Sequence, residues 1–293
     1  MKRSLRAKGV SGLLTIKSKI TYEPNPFSNI KMFKKKEKFC VPPKQLKARY
    51  TDNKNGRIIY LNEKSNSNIV IIYLHGGSYC ADFLPFHWWF IKKIMKKTNA
   101  KVIAPAYRLA PFATYKEAFN LIVPIYKRCI KSNKRVIIMG DSAGGGLAMA
   151  LAIHFKLENL RLPDELILYS PWVDVSMENE EIKHYKNKDP FLNVKALIES
   201  VKPWLGELDN HDWHVSPLYG DLKGIHNVSV FVGTREVLYP DIIKFYNKLD
   251  PDISNTLIVG EGMNHAYPLI PIPESKIAIK KIIEIILKNK NDD

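Results

Sequence analysis

Six short apolar runs punctuate the chain, at 69–74 (IVIIYL), 101–104 (KVIA), 135–139 (RVIIM), 166–169 (LILY), 229–232 (SVFV) and 256–259 (TLIV). Each is compact and rich in β-branched residues, the pattern of a strand buried on both faces. Between them apolar residues recur at helical spacing, at about 86–98, 113–131, 143–157, 240–249 and 274–289. This alternation predicts an α/β fold with a mostly parallel sheet and helices on both faces. Pro124 is expected to kink the second helix, while Pro273 suits the first turn of the last. Ahead of these runs, two extended stretches flank Asn53-Lys54-Asn55-Gly56 and read as a hairpin with Gly56 at positive φ.

The rhythm breaks between 169 and 229. About 176–215 reads as helical pieces separated by Pro190 and Pro203, too long for a plain crossover and of the size of a lid or binding element. Residues 1–46 also stand apart, with weak helical periodicity near 10–20 and 26–36 and the breaker Pro42-Pro43. They read as an appended, mobile basic segment, followed by the main unit at 47–293.

Composition narrows the class. The 293 residues are 45% hydrophobic and 25% charged, ordinary for a globular protein. No apolar run approaches the roughly 18 residues of a membrane span, and the basic N-terminus lacks the apolar stretch of a secretory signal. Cys40, Cys80 and Cys129 are widely spaced, which suggests free thiols and a cytoplasmic protein. The net charge of +16 is concentrated, because residues 1–50 hold 14 Lys and Arg against Glu23 and Glu37. Solvated lysine is the plainer reading; peripheral contact with an anionic membrane is the functional one. Nucleic acid is not an expected partner, since no recognition motif accompanies the charge. Oligomeric state is left open, a homodimer included.

The sharpest chemical signal is Gly140-Asp141-Ser142-Ala143-Gly144, placed between a predicted strand and a predicted helix. A serine in such a turn is strained and exposes its Oγ, and the flanking glycines let strand and helix cross closely. Ser142 is therefore the candidate nucleophile. His75-Gly76-Gly77 follows the strand at 69–74, where the N–H groups of Gly76 and Gly77, with that of Ala143, would form an oxyanion hole. A base and an acid are still required. His265 follows the last strand, Glu236 follows the strand before it, and the order Ser142, Glu236, His265 suits an α/β-hydrolase triad. Asp241 is the rival acid, less well placed because it lies farther from the strand end.

Together these residues resemble the hormone-sensitive-lipase-like branch of the α/β-hydrolases, the H-G-G esterases. Tyr107-Arg108-Leu109-Ala110-Pro111, Ser170-Pro171-Trp172-Val173-Asp174 and Ser216-Pro217-Leu218 resemble further signatures of that family. The resemblance covers about 68–289. It implies an α/β-hydrolase fold with a helical cap built from the N-terminal segment and the insertion, and a serine carboxylic-ester hydrolase acting on short to medium acyl esters through an acyl-enzyme. Ser142 would be the nucleophile, His265 the base, and Gly76, Gly77 and Ala143 the oxyanion donors, without metal or organic cofactor. Two positions depart from the family pattern: Glu236-Val237-Leu238 replaces the usual Asp-Pro-Leu, and Phe112 stands where many members have Glu. A deacetylase, lactonase or amidase could use the same triad.

Other residues carry plainer expectations. His75 reads as loop-stabilising, and His87 to Phe90 as core or pocket wall. Phe86, Trp88 and Trp204 are expected to shape an apolar acyl site. His211 and His214, beside Asp209 and Asp212, lack the third cluster of a metal site. Cys80 is expected as a free buried thiol.

Overall fold

The computed structural model describes residues 3–10, 39–251 and 253–288. Eight strands form one sheet in the order β1-β2-β4-β3-β5-β6-β7-β8. They are β1 (Arg49–Asn53), β2 (Gly56–Leu61), β3 (Ile69–Leu74), β4 (Lys101–Tyr107), β5 (Arg135–Asp141), β6 (Glu165–Tyr169), β7 (Val228–Gly233) and β8 (Thr256–Gly260). The first two pair as the expected hairpin, β2 runs antiparallel to β4, and the rest are parallel. Six of the strands coincide with the apolar runs, and every residue of β3, β6 and β7 is buried.

Six longer helices among the described residues complete the fold: α1 (Pro85–Thr98), α2 (Tyr115–Ile130), α3 (Ala143–Leu157), α4 (Val194–Leu205), α5 (Tyr239–Lys248) and α6 (Pro273–Leu287). Alternate strand residues send Val70, Ile72 and Leu74 into one core and Ile69, Ile71 and Tyr73 into the other. The first core packs against α2 to α5, the second against α1 and α6. This division follows from the winding. The chain steps from β3 to β4, then reverses past β3 to β5, and right-handed crossovers place helices on opposite faces when direction reverses. The reversal leaves a crevice at the carboxyl ends of β3 and β5, where open α/β sheets bind ligands.

Helix α2 begins with a capping box in which Thr114 and Glu117 exchange hydrogen bonds with each other's backbone. It runs unbroken through Pro124, whose ring lies on the exposed side. Between β6 and β7 the insertion contains a short turn at Glu180–His184 and α4, started by Asn193 accepting from Ala196 N–H. Pro203 does not separate pieces as expected, because α4 continues to Leu205. Its last turn is held by Trp204, fully buried and stacked on Tyr79 with ring centroids 4.5 Å apart.

The N-terminal segment also differs from expectation where it is described. Residues 5–10 are helical, Ala7 is buried in the second core, and Ser4 N–H and Oγ both donate to the Glu274 carboxylate at the start of α6. Residues 3–10 are thus packed on the main unit rather than freely appended. The expected helices near 10–20 and 26–36 fall largely outside the described residues. No helix among the described residues is long and apolar enough to cross a membrane.

Candidate active site

Ser142 stands where β5 turns into α3, with φ 53° and ψ −123°, a conformation costly for a residue with a Cβ. The surroundings over-determine it. Ser142 N–H donates to Tyr169 O at 2.8 Å, and its carbonyl accepts from Gly145, Gly146 and Trp172 N–H. Trp172 belongs to the 170–174 segment, so that motif holds the Ser142 turn from the β6 side.

The loop after β3 presses on the same turn. A Cβ on Gly76 would lie 2.8 Å from Asp141 O and 2.9 Å from Ser142 Cβ, closer than side chains tolerate. Gly76 is therefore a steric requirement of bringing this backbone against Ser142. The loop's shape is fixed from outside. Ala110 N–H donates to Tyr79 O at 2.9 Å, and Tyr107 OH donates to His75 O at 2.7 Å, which is how the 107–111 motif serves the site. His75 is stacked on Tyr107, with centroids 4.4 Å apart, and burial pushes its imidazole down. Its Nδ1–H donates to Gly76 O, leaving Nε2 without a hydrogen bond.

In the loops after β8 and β7, His265 Nδ1 lies 2.5 Å from Glu236 Oε2. Glu236 is fully buried, and its other oxygen accepts from Ser170 Oγ at 2.7 Å and Gly233 N–H at 2.9 Å. Burial alone would push His265 down, but the Glu236 carboxylate, by charge and hydrogen bond, outweighs it and holds the imidazole above its ordinary value. With Nδ1 engaged, Nε2 is the nitrogen left for proton transfer. Asp241 does not share this position. It lies in the first turn of α5, where Oδ1 accepts from Asn179 Nδ2 at 2.7 Å and Oδ2 has no hydrogen bond.

Three features had no assigned role at the sequence level. Ser170 bridges acid and base loops, because its Oγ donates to Glu236 and accepts from Ala266 N–H at 2.9 Å. Asp141 is buried and accepts from Tyr73 OH at 2.8 Å and from His87 Nε2 at 3.2 Å. His87 Nδ1 accepts from Leu84 N–H, so the ring proton sits on Nε2 and is aimed at Asp141. Burial would raise Asp141, but these contacts outweigh it and keep the carboxyl below its usual range. Asp189, in the insertion, accepts from Val237 N–H, the residue after Glu236. Pairings this distant leave no signal in local spacing.

Other expectations resolve differently. Trp88 is buried in the second core, stacked on Phe83, whereas Trp204 lies in the first; the two do not line one acyl site, because alternate faces of the sheet separate them. Phe86 is partly exposed against His87. His211 meets Glu178 and Asp209, and His214 meets Asp212. Cys80 is half-buried with Sγ near Gly77 O, and burial raises its thiol to about 11.

A profile of the α/β hydrolase fold family matches residues 71–269. An esterase of Acinetobacter venetianus is 30% identical over 228 residues, spanning 75% of each chain. The chain belongs to the α/β-hydrolases, in the hormone-sensitive-lipase-like branch. An acetyl-hydrolase of Streptomyces hygroscopicus is 30% identical over 174 residues, 58% of each chain. Among solved structures, the hormone-sensitive-lipase homologue EstE7 from a metagenome library superposes with a TM-score of 0.82 at 25% identity, covering 97% of this chain and 98% of that one. In this α/β-hydrolase the profile runs from β3 to the turn after His265, so it takes in Ser142, Glu236 and the loop after β3.

Proposed function

We propose that this α/β-hydrolase is a serine carboxylic-ester hydrolase acting on short to medium acyl esters. The observation that carries the reading is the pairing of His265 with the buried Glu236, tied through Ser170 to the β6 end that holds the strained Ser142 turn, against which the Gly76 loop is packed. Ser142 Oγ attacks the ester carbonyl carbon while its proton passes to His265 Nε2, and Glu236 stabilises the imidazolium that forms. Negative charge on the carbonyl oxygen is met by the N–H groups of Gly76, Gly77 and Ala143. Collapse breaks the ester C–O bond, and the leaving alkoxide takes the proton from His265. Water then attacks the acyl-serine, giving its proton to His265, which returns it to Ser142 as the acid departs.

The short-chain preference is supported by the naming of the Streptomyces relative as an acetyl-hydrolase and by the placement of Trp204 against Tyr79 in the loop after β3, which limits room there. The test is hydrolysis of p-nitrophenyl esters from acetate to palmitate by wild type and Ser142→Ala. Short-chain turnover that disappears in the variant supports the proposal; equal turnover by the two proteins overturns it. Amide and lactone analogues run in parallel rank the related activities.

A further inference from the structure

Asp189 follows the short turn of the insertion and precedes α4, yet its side chain reaches the acid loop. Oδ2 accepts from Val237 N–H at 2.9 Å, while Oδ1 accepts from Phe191 N–H at 2.7 Å and Leu192 N–H at 3.0 Å. Its own N–H donates to Tyr185 O, so both backbone and side chain are pinned. The peptide it grips is the one that follows Glu236, whose carbonyl is held in turn by Tyr239 N–H at 3.2 Å. Glu236 is thus anchored through its side chain by the β6 and β7 ends, and through its backbone by the insertion.

We propose that Asp189 is a positioning residue for the Glu236–His265 pair: from the cap it clamps the peptide after Glu236 and adds a second carboxylate charge that strengthens His265 as a base. The inference rests on the reading of His265 as that base. Three carboxylates act on His265: Glu236 by direct contact, then Asp189, then Asp141. Asp141 is neutral in its influence on cap position, being tied to Tyr73 and His87 in the sheet and α1. Only Asp189 comes from the cap. Arg235 and Tyr239 flank Glu236 and its neighbour Val237, and Tyr185 and Lys188 stand beside Asp189, with Tyr185 against the Tyr239 ring. Burial raises the Asp189 carboxyl to about 6, with the His265 charge and the three N–H groups opposing it. Its charge is therefore present at neutral pH and lost in mild acid. A cap that moved away would release the Val237 peptide and weaken the base together.

The experiment is an NMR titration of the full chain labelled at histidine, assigned with His265→Gln, for wild type, Asp189→Asn and Asp189→Glu. Loss of a nearby negative charge lowers an imidazole pKa, so Asp189→Asn should bring the His265 midpoint down by about half a pH unit or more, with Asp189→Glu staying at the wild-type midpoint. An unmoved midpoint in Asp189→Asn overturns the proposal. Wild type alone gives a second reading: the His265 signal should show an additional inflection near pH 6, and a single-site curve there overturns it as well. In p-nitrophenyl acetate hydrolysis the acid limb of kcat/KM should move with the midpoint; a uniform loss at every pH with the limb unmoved marks a structural role only and rejects the assignment. A wild type that hydrolyses no ester rejects the esterase reading, while the titration still decides the role of Asp189.

Discussion

Trp204 of the insertion lies flat on Tyr79 of the loop after β3, with centroids 4.5 Å apart and planes within 8°. Both rings are fully buried, and Tyr107 and Trp172 border the same stack. The insertion and the loop after β3 therefore share one piece of core, and neither can shift without exposing aromatic surface.

Trp204→Ala should cost about 3–5 kcal/mol, the usual range for emptying a buried tryptophan site. Because the cavity opens beside the loop that carries Gly76 and Gly77, turnover should fall as well. Denaturant unfolding and kcat on a short-chain ester measure the two effects.

Glu236→Gln keeps the shape of the acid and removes the charge that holds His265 above its ordinary value. The expected loss in kcat is roughly 10³- to 10⁴-fold, the scale seen when a triad carboxylate is neutralised. A base must be unprotonated, so wild-type kcat/KM should rise as pH increases through a midpoint above about 6.5, the ordinary imidazole value. A wild-type acid limb lying below that value would contradict the assignment of His265.

Gly76→Ala places a methyl group where Asp141 O and Ser142 Cβ already stand. The loop must retreat from Ser142, and the proposed oxyanion donor it carries goes with it. A drop in kcat of about 10²-fold or more is expected, since one oxyanion donor contributes on that scale. Circular dichroism should report the sheet unchanged, because the collision is confined to the turn.

Asp241 supplies a stability prediction with a definite sign. Burial, with the charges of Asp174 and Glu181 adding to it, raises its carboxyl to about 6 against the Asn179 hydrogen bond. The folded chain binds this proton more tightly than the unfolded chain, whose carboxyl titrates near 3.9. The stability it contributes is complete below about pH 4 and is lost as pH rises through about 6. Asp241→Asn keeps an acceptor for Asn179 and has no charge to bury. Its Tm relative to wild type should therefore climb between pH 5 and pH 8; a constant difference would remove the argument.

The sheet was legible because its central strands are uninterrupted apolar runs, and β3 matches the sequence reading residue for residue. The serine turn and the loop after β3 were legible because glycine marks close backbone approaches. Ser170 and Asp189 were not. Their partners lie 96 and 48 residues away, and only the folded chain brings a hydroxyl to Ala266 or a carboxylate to Val237. Pro203 misled for a related reason: local propensity argued for a break, while burial of the adjacent Trp204 kept the last turn of α4 in place. Trp88 misled by composition, since its aromatic ring serves the core beneath α1 instead of the crevice.

The docking of Ser4 on Glu274 joins residues 270 positions apart, and the adjacent Arg3 lies close to Gly262 in the loop that carries His265. During synthesis, residues 3–10 leave the ribosome well before α6 and cannot acquire this contact until that helix has followed. The β5 turn with Ser142 can form while the proposed proton acceptor, His265, has yet to be made. On the proposed mechanism, nascent chains and products ending before residue 265 would therefore hold a serine turn without the means to activate it, and hydrolytic competence would arrive only as α6 closes over residues 3–10.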